Sequence, residues 1–392
     1  MSPTDKTAIA APTQKSPKVL VVVSYVLPHL GGIEIVAQTQ AKLLAGGGAK
    51  VDVLTSAYAL PHGTSAEPEG HHIHRVKIWN FTEEKFGAPF PIFAPTLFWK
   101  ARKLVQKADV VHAHDAFYMS SLAGAFWARR LHKPFVLTQH VAEIPHPKKV
   151  VTIAQKIIYG TSGKFIFKTA DRVAVLNANV REFLLARGVP AERIFVLPNG
   201  VDVERFHPAK SAAEKRAMRK KYNLPEDKPL AIFVGRFVPK KGFDKLLQAG
   251  SDAYRIVFVG GDAPDAKTAK NPRFIFMGGR APAEVAELYR ACDMFVLPSV
   301  GEGFPLTIQE AMASGLPVVT TNDPGYDVYN FDGEIKLINP TVKNIQKALA
   351  ELAENSGERA KMGKRAYDFA QKHFTWEQNI AALTEIYRKV IK

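Results

Sequence analysis

The carboxylates Glu302 and Glu310, with seven residues between them, lie in the stretch Gly301-Glu302-Gly303-Phe304-Pro305-Leu306 and the helical pattern that follows. An apolar run ending at Pro298 precedes it. Gly303 lets the backbone approach a ligand closely, and a helix beginning near Pro305 offers free N–H groups to oxygen atoms. Glu302 falls in the loop and Glu310 about two turns into that helix. Carboxylates so placed can accept hydrogen bonds from hydroxyls on two different sugar rings; an ordinary capped helix with a surface glutamate fits the same residues. A second cluster is Phe233-Val234-Gly235-Arg236-Phe237-Val238-Pro239-Lys240-Lys241-Gly242. The spacing predicts a strand ending at Gly235 and a helix starting near Gly242, with Arg236 and Lys241 flanking the turn. There an arginine can grip two oxygens of a diphosphate and a lysine adds a point charge. A solvated basic pair is the alternative. A third is Pro28-His29-Leu30-Gly31-Gly32-Ile33-Glu34, whose glycines at a helix start suit close approach of a phosphate or an acceptor. It is not the G-x-G-x-x-G fingerprint, which argues against a nicotinamide enzyme.

These clusters need a frame that brings them together. From Lys18 on, short β-branched runs alternate with helical patterns: Val19–Val23, a helix over about 33–45, Val51–Leu54, Val110–His112, Phe135–Thr138, Val173–Leu176 and Ile194–Leu197. Leu197-Pro198-Asn199-Gly200 breaks the series, and a polar, Lys-rich stretch covers 209–228. The alternation restarts at Leu230–Val234 and runs through Ile256–Val259, Phe274–Phe276, Met294–Leu297 and Val318–Thr320. Continuous apolar strands separated by amphipathic helices predict parallel sheets covered on both faces. Two series of this length predict an α/β chain with two Rossmann-like domains and a linker near residue 200. Ligands would bind at the C-terminal ends of the strands, between the domains.

The 392 residues suffice for two cores. No apolar run approaches the roughly 18 residues of a spanning helix. Residues 1–17 lack the apolar core of a signal peptide and are read as a disordered lead-in. The single cysteine, Cys292, excludes an internal disulfide and fits a reducing, cytosolic compartment. A net charge of +16 implies attraction to polyanions, yet no nucleic-acid-binding motif accompanies it.

Taken together, the three clusters resemble glycosyltransferase family 4, the retaining enzymes of GT-B fold. The resemblance runs from Lys18 to the end. It includes Asp109-Val110-Val111-His112-Ala113-His114-Asp115, Leu137-Thr138-Gln139-His140, Ala170-Asp171-Arg172-Val173-Ala174-Val175, Pro198-Asn199-Gly200-Val201-Asp202 and Val259-Gly260-Gly261-Asp262-Ala263-Pro264. It implies two facing Rossmann-like domains: an acceptor-side domain over 18–200, a nucleotide-sugar-binding domain over 201–375, and a last helix, 376–392, packing back on the first. It implies that Arg236 and Lys241, after Gly235, bind the donor diphosphate and that Glu310 holds the nucleotide ribose. Glu302, with the backbone of Gly303, Phe304, Pro305 and Leu306, would hold the donor sugar. Gly32 would lie near the distal phosphate, His140 beside the reacting centre and Arg280 near the base. The partners implied are a UDP- or GDP-sugar donor and a glycan or lipid-linked acceptor, with no cofactor. One departure is Asn322-Asp323-Pro324-Gly325-Tyr326-Asp327, where relatives often carry a Gly-Gly pair and then a glutamate; Asp327 is the candidate stand-in.

Other chemistries fit less well. His71, His72 and His74, or His112, His114 and Asp115, could face one side of a strand and bind a metal, but neither set has an evident fourth partner. The Asp-x-Asp pair of metal-dependent glycosyltransferases is absent. Gly160-Thr161-Ser162-Gly163-Lys164 fails the phosphate-loop spacing. An inactive sugar-nucleotide sensor on the same fold is the competing class. Finally, 146–172 carries Lys148, Lys149, Lys156, Lys164, Lys168 and Arg172 against Asp171 alone. With Val150, Ile153, Ala154, Ile157 and Ile158 at helical spacing, residues 148–159 form a basic amphipathic helix. An aromatic segment with Trp79, Phe81, Phe86, Phe90, Phe93, Phe98 and Trp99 precedes it. Such a surface would dock on anionic lipid; a helix packed on the core is the other reading.

Overall fold

The computed structural model describes residues 16–29, 31–87, 89–143 and 149–391. Most of the expected lead-in, residues 1–15, lies outside them, as do Leu30 and Lys148. The strands of the first half are β1 Lys18–Val22, β2 Lys50–Ser56, β3 Gly63–Ala66, β4 His72–Val76, β5 Ile78–Trp79, β6 Ile92–Phe93, β7 Val110–His114, β8 Phe135–Gln139, β9 Arg172–Val175 and β10 Ile194–Val196. Eight of them form one sheet in the order β10-β9-β8-β7-β1-β2-β4-β3, parallel except for the β3 edge; β5 and β6 pair separately. The second half adds β11 Leu230–Val234, β12 Arg255–Val259, β13 Phe274–Phe276, β14 Met294–Leu297, β15 Val318–Thr321 and β16 Ile335–Ile338. These form an all-parallel sheet in the order β13-β12-β11-β14-β15-β16.

Side chains alternate across each strand, so a strand buried on both faces must be apolar throughout. β1 shows the consequence. Leu20 and Val22 join a core with Leu97, Val105, Ala123 and Phe167, while Val19 and Val21 join another with Ala37, Ala41, Leu383 and Tyr387. The second core is thus built partly by the last helix, Trp376–Val390, which packs on the first sheet from the far end of the chain. Gln40 donates to Asn379 at 2.9 Å and Asn379 donates to the carbonyl of Pro198 at 2.6 Å. Val201 N donates to Phe374 O at 2.6 Å, and Gly200 lies directly against the Trp376 ring with no room for a Cβ.

Strand order locates the crevices. In the first sheet the direction of winding reverses between β1 and β7; in the second it reverses between β11 and β14. Loops leaving neighbouring strands at such a reversal part to opposite faces and leave an opening at the carboxyl ends. The Gly31-Gly32 and His114-Asp115 segments leave the first reversal, and the 235–242 and 298–305 segments leave the second.

Candidate active site

The 235–242 turn is short and constrained. Pro239–Lys241 forms a 3-10 turn, Gly242 has φ +74°, and helix Phe243–Gln248 follows. A Cβ on Gly242 would lie 2.5 Å from the Pro298 carbonyl oxygen, so this turn and the 298–305 loop are in backbone contact. Val300 N donates to Lys240 O at 3.0 Å, which fixes their register. The loop then presents Glu302 to both lysines: Glu302 Oε2 lies 3.2 Å from Lys241 Nζ and Oε1 lies 3.5 Å from Lys240 Nζ. Burial and the neighbouring cations push the Lys240 amine below its ordinary range, and Glu302 opposes that shift. Arg236 is exposed, and its side chain has no hydrogen bond or ion pair among the described residues.

Phe304 is buried among Tyr326, Tyr329, Phe331 and Phe374, so its side chain anchors the loop and only its backbone is available to a ligand. Helix Leu306–Ala313 follows Pro305. Glu310 is the fifth residue of that helix, a little over one turn in, closer to its start than the spacing predicted. Burial pushes its carboxyl up to about 7 against the hydrogen bond donated by Tyr289 Oη at 3.2 Å. Arg280 is tethered by the Met277 carbonyl at 2.7 Å and by Glu284 at 3.1 Å. Asp327 is exposed, and Asp323 instead accepts from Asn179 at 2.6 Å and from Gly325 N at 2.8 Å.

The first half meets this loop directly. A Cβ on Gly303 would lie 2.5 Å from the His140 carbonyl oxygen, and one on Gly32 would lie 3.9 Å from Leu306 Cδ1. Asn177 Nδ2 donates to the carbonyls of Glu302 at 3.0 Å and Gly303 at 2.7 Å, while its Oδ1 caps helix Ala178–Leu185. Tyr329 Oη donates to the Leu176 carbonyl. The structure therefore brings His140, Gly32, Glu302, Gly303 and Leu306 into one cleft, with Lys240 and Lys241 on Glu302. Asn177 and Lys240 were not singled out from sequence. Asn177 carries a visible N-cap signal after β9, but nothing in the chain order points it at residues 302 and 303.

His140 is held from behind. Its backbone N–H donates to Asp115 Oδ1 at 2.8 Å, and Asp115 sits at φ +59°. His140 Nε2 and His114 Nδ1 share one proton across 2.9 Å. His112 bonds Thr138 Oγ1 at 2.8 Å and Tyr387 Oη at 2.7 Å. Burial drives the imidazoles of His112 and His140 down to about 3, so both are neutral at ordinary pH. Being lowered from 6.5, they favour the fold above that pH, and this contribution is lost as pH falls toward 3. The three histidines have no metal-binding partner set: no group of three or more His, Cys, Asp or Glu side chains among the described residues could hold an ion. In the same half His29 bridges Glu34 at 2.8 Å and Glu83 at 3.1 Å, pinning the approach to Gly31-Gly32.

Residues 30–205 match the family model Glycosyltransferase Family 4, and residues 214–369 match Glycosyl transferases group 1. The chain belongs to glycosyltransferase family 4. It is 28% identical over 395 residues to a D-inositol 3-phosphate glycosyltransferase of Nocardia farcinica, covering 91% of this chain and 84% of that one. It is 31% identical over 260 residues to a GDP-mannose-dependent alpha-mannosyltransferase of Mycobacterium tuberculosis, covering 66% of each. Among solved structures, Anabaena HepE in complex with UDP superposes with a TM-score of 0.74 at 18% identity over 95% of this chain and all of that one. Sucrose-phosphate synthase of Thermosynechococcus elongatus superposes with 0.72 at 21% identity, covering 95% of this chain and 98% of the other. The fold of this family 4 chain is GT-B: two Rossmann-like halves with a cleft between them.

The Glu310 carboxyl gives this cleft a pH signature. A carboxyl raised from 4.5 to about 7 favours the fold at low pH, and that contribution is lost as pH rises through about 7. The ionised form is the stronger acceptor for the two ribose hydroxyls that the family resemblance would assign to Glu310. Nucleoside diphosphate affinity is therefore expected to rise between pH 6 and 8, by about tenfold at most for one carboxylate. Calorimetric titration across that range checks this, with Glu310→Gln expected to flatten the profile. A wild-type profile as flat as the variant's removes Glu310 from the nucleotide.

Proposed function

We propose that this glycosyltransferase moves a hexosyl unit, with retention, from a UDP- or GDP-sugar to a glycan or lipid-linked acceptor, forming an α linkage. The observation that carries the reading is the contact of Gly303 with the His140 carbonyl. It closes the loop bearing Glu302, with the two lysines of the 235–242 turn paired to it, onto the His140 backbone of the facing half. In this reading Arg236 and Lys241 hold the diphosphate, Glu310 the ribose and Glu302 the sugar hydroxyls. His140 lies beside the anomeric centre, where a neutral ring can orient the sugar without adding charge.

Catalysis is then positioning and stabilisation of the departing diphosphate. The acceptor hydroxyl attacks from the face the leaving group departs, and a phosphate oxygen takes its proton. The side chains supply the positive charge for the leaving group, so turnover is expected to survive excess EDTA. Transfer from a panel of UDP- and GDP-sugars, with the product anomer read by NMR, tests the reading. A β product from an α donor overturns retention, and a strict Mg²⁺ or Mn²⁺ requirement overturns metal independence. Binding of a sugar nucleotide with neither hydrolysis nor transfer would favour a sensor instead.

A membrane-facing acceptor side is part of the proposal. Helix Lys149–Ile158 leaves Ile153 57% and Ile157 60% exposed, with Ala154 and Lys156 exposed between them. Its apolar stripe thus points outward, which supports an interfacial surface over a core-packed helix. Trp79, Phe81 and Trp99 are also exposed, whereas Phe93 is buried in the core. No helix among the described residues is long and apolar enough to cross a membrane. Vesicle flotation at low salt is expected to show binding to anionic vesicles, lost in high salt, at roughly 1 kcal/mol per engaged lysine. Equal binding to neutral vesicles, or none, makes a soluble acceptor the better reading.

A further inference from the structure

Lys240 and Lys241 share one carboxylate in the cleft, and the family reading gives that carboxylate a different task. Glu302 Oε2 is 3.2 Å from Lys241 Nζ and Oε1 is 3.5 Å from Lys240 Nζ. The Glu302 side chain is only 15% exposed and that of Lys241 19%, so this pair is largely shielded from water, while Lys240 at 33% reaches it from the rim. Apart from these ion pairs, Glu302 Oε1 has no hydrogen-bond donor among the described residues although it is buried. A carboxylate in such a place needs donors, and two adjacent ammonium groups need an anion. Each meets the other's requirement.

A diphosphate at this turn would change both needs at once. Its oxygens are more highly charged than a carboxylate and would take the lysines. The attached sugar would bring hydroxyl donors for the carboxylate that the lysines release. We propose that Glu302 is the stand-in anion of the diphosphate site, that it exchanges Lys240 and Lys241 for sugar hydroxyls when the donor binds, and that Lys240 is a third diphosphate-binding cation beside Arg236 and Lys241. The exchange rests on the donor reading given above. Its consequence is selectivity: a bare nucleoside diphosphate displaces Glu302 and leaves it buried without donors, whereas a complete sugar nucleotide satisfies it. Spent nucleotide is thereby held less tightly than fresh donor, which favours product release.

The two ligands separate this exchange from simple repulsion. Isothermal titration calorimetry would compare UDP with UDP-glucose and GDP with GDP-mannose, for the wild type, Glu302→Gln and Lys240→Gln, using whichever pair the wild type binds. Glu302→Gln is expected to bind the bare nucleotide roughly three- to tenfold more tightly and the sugar nucleotide more weakly by a similar factor. Lys240→Gln is expected to weaken both by about that much. Tightening of both ligands in Glu302→Gln would mean the carboxylate merely repels phosphate, and overturns the exchange. Unchanged affinities in Lys240→Gln overturn its role as a third cation. Failure of the folded wild type to bind any of the four ligands overturns the donor reading itself. Thermal melts of each variant establish that the comparison is made on folded protein.

Discussion

Replacing Arg236 or Lys241 with alanine is expected to lower turnover by about 10²–10³-fold, the loss associated with one preorganised group at a site of developing charge. Both side chains leave the turn after β11, at the reversal point of the second sheet, and neither supports the core. Arg236 is exposed and its side chain has no ion pair among the described residues, so removing it leaves none of them unpaired. Removing Lys241 leaves Glu302 with Lys240, which avoids an isolated buried carboxylate. Melting temperatures are therefore expected to stay near the wild-type value while kcat falls. Because the charge on the leaving diphosphate grows toward the transition state, the effect belongs mainly in kcat and less in the donor KM. Steady-state kinetics on the same donor checks this, and near-normal turnover in either variant takes that residue out of the diphosphate role.

The apolar framework was legible because a strand buried on both faces has little freedom of composition. β11, β13 and β14 have the bounds that the apolar runs predict, and most others differ by one or two residues at an end. What was not legible lies at sheet edges and on polar surfaces. β3 carries Gly63, Thr64, Ser65 and Ala66, mostly exposed, so no hydrophobic alternation marks it. The β5–β6 ladder has two residues per strand. The Lys-rich segment hides helix Ala212–Lys221, whose buried residue is Arg219, paired with Asp293 at 2.5 Å. A helix held by an ion pair and by the Ser211 cap on Glu214 N leaves no apolar stripe to read.

The site divides in the same way. Residues within one motif could be placed from their spacing, since a strand, a tight turn and a helix start leave few arrangements. Glu302 beside Lys241 required more, because it depends on two loops meeting after β11 and β14, about sixty residues apart. Asn177 is further out of reach, bonding carbonyls 125 and 126 residues away. The histidines of β7 could be read as metal ligands from their i, i+2 spacing. Burial instead makes them a neutral hydrogen-bonded stack behind His140, a distinction carried by solvent exclusion and not by residue type.

Gly303→Ala is expected to reduce kcat by about 10²-fold while leaving a folded protein, because displacements near 1 Å at a reacting centre carry losses of that size. The added Cβ would lie 2.5 Å from the His140 carbonyl oxygen and 3.1 Å from Leu176 Cδ1, so backbone must move on one side of the cleft. The Leu176 methyl can turn away; the His140 carbonyl cannot shift without disturbing the backbone bond to Asp115 that fixes the ring. If the 302–304 loop retreats instead, it loses the Asn177 bonds to the carbonyls of Glu302 and Gly303 and draws Glu302 from its partners. Either route separates the two halves of the site by about the overlap that must be relieved. The strain is local to the cleft, since Phe304 remains anchored in its aromatic cluster. Nucleoside diphosphate binding, which the proposed reading gives to Arg236, Lys240 and Lys241, is expected to change much less than turnover. Calorimetry and single-turnover kinetics on the variant separate these effects. Turnover within threefold of wild type would show that the close approach of Gly303 to His140 has no part in catalysis.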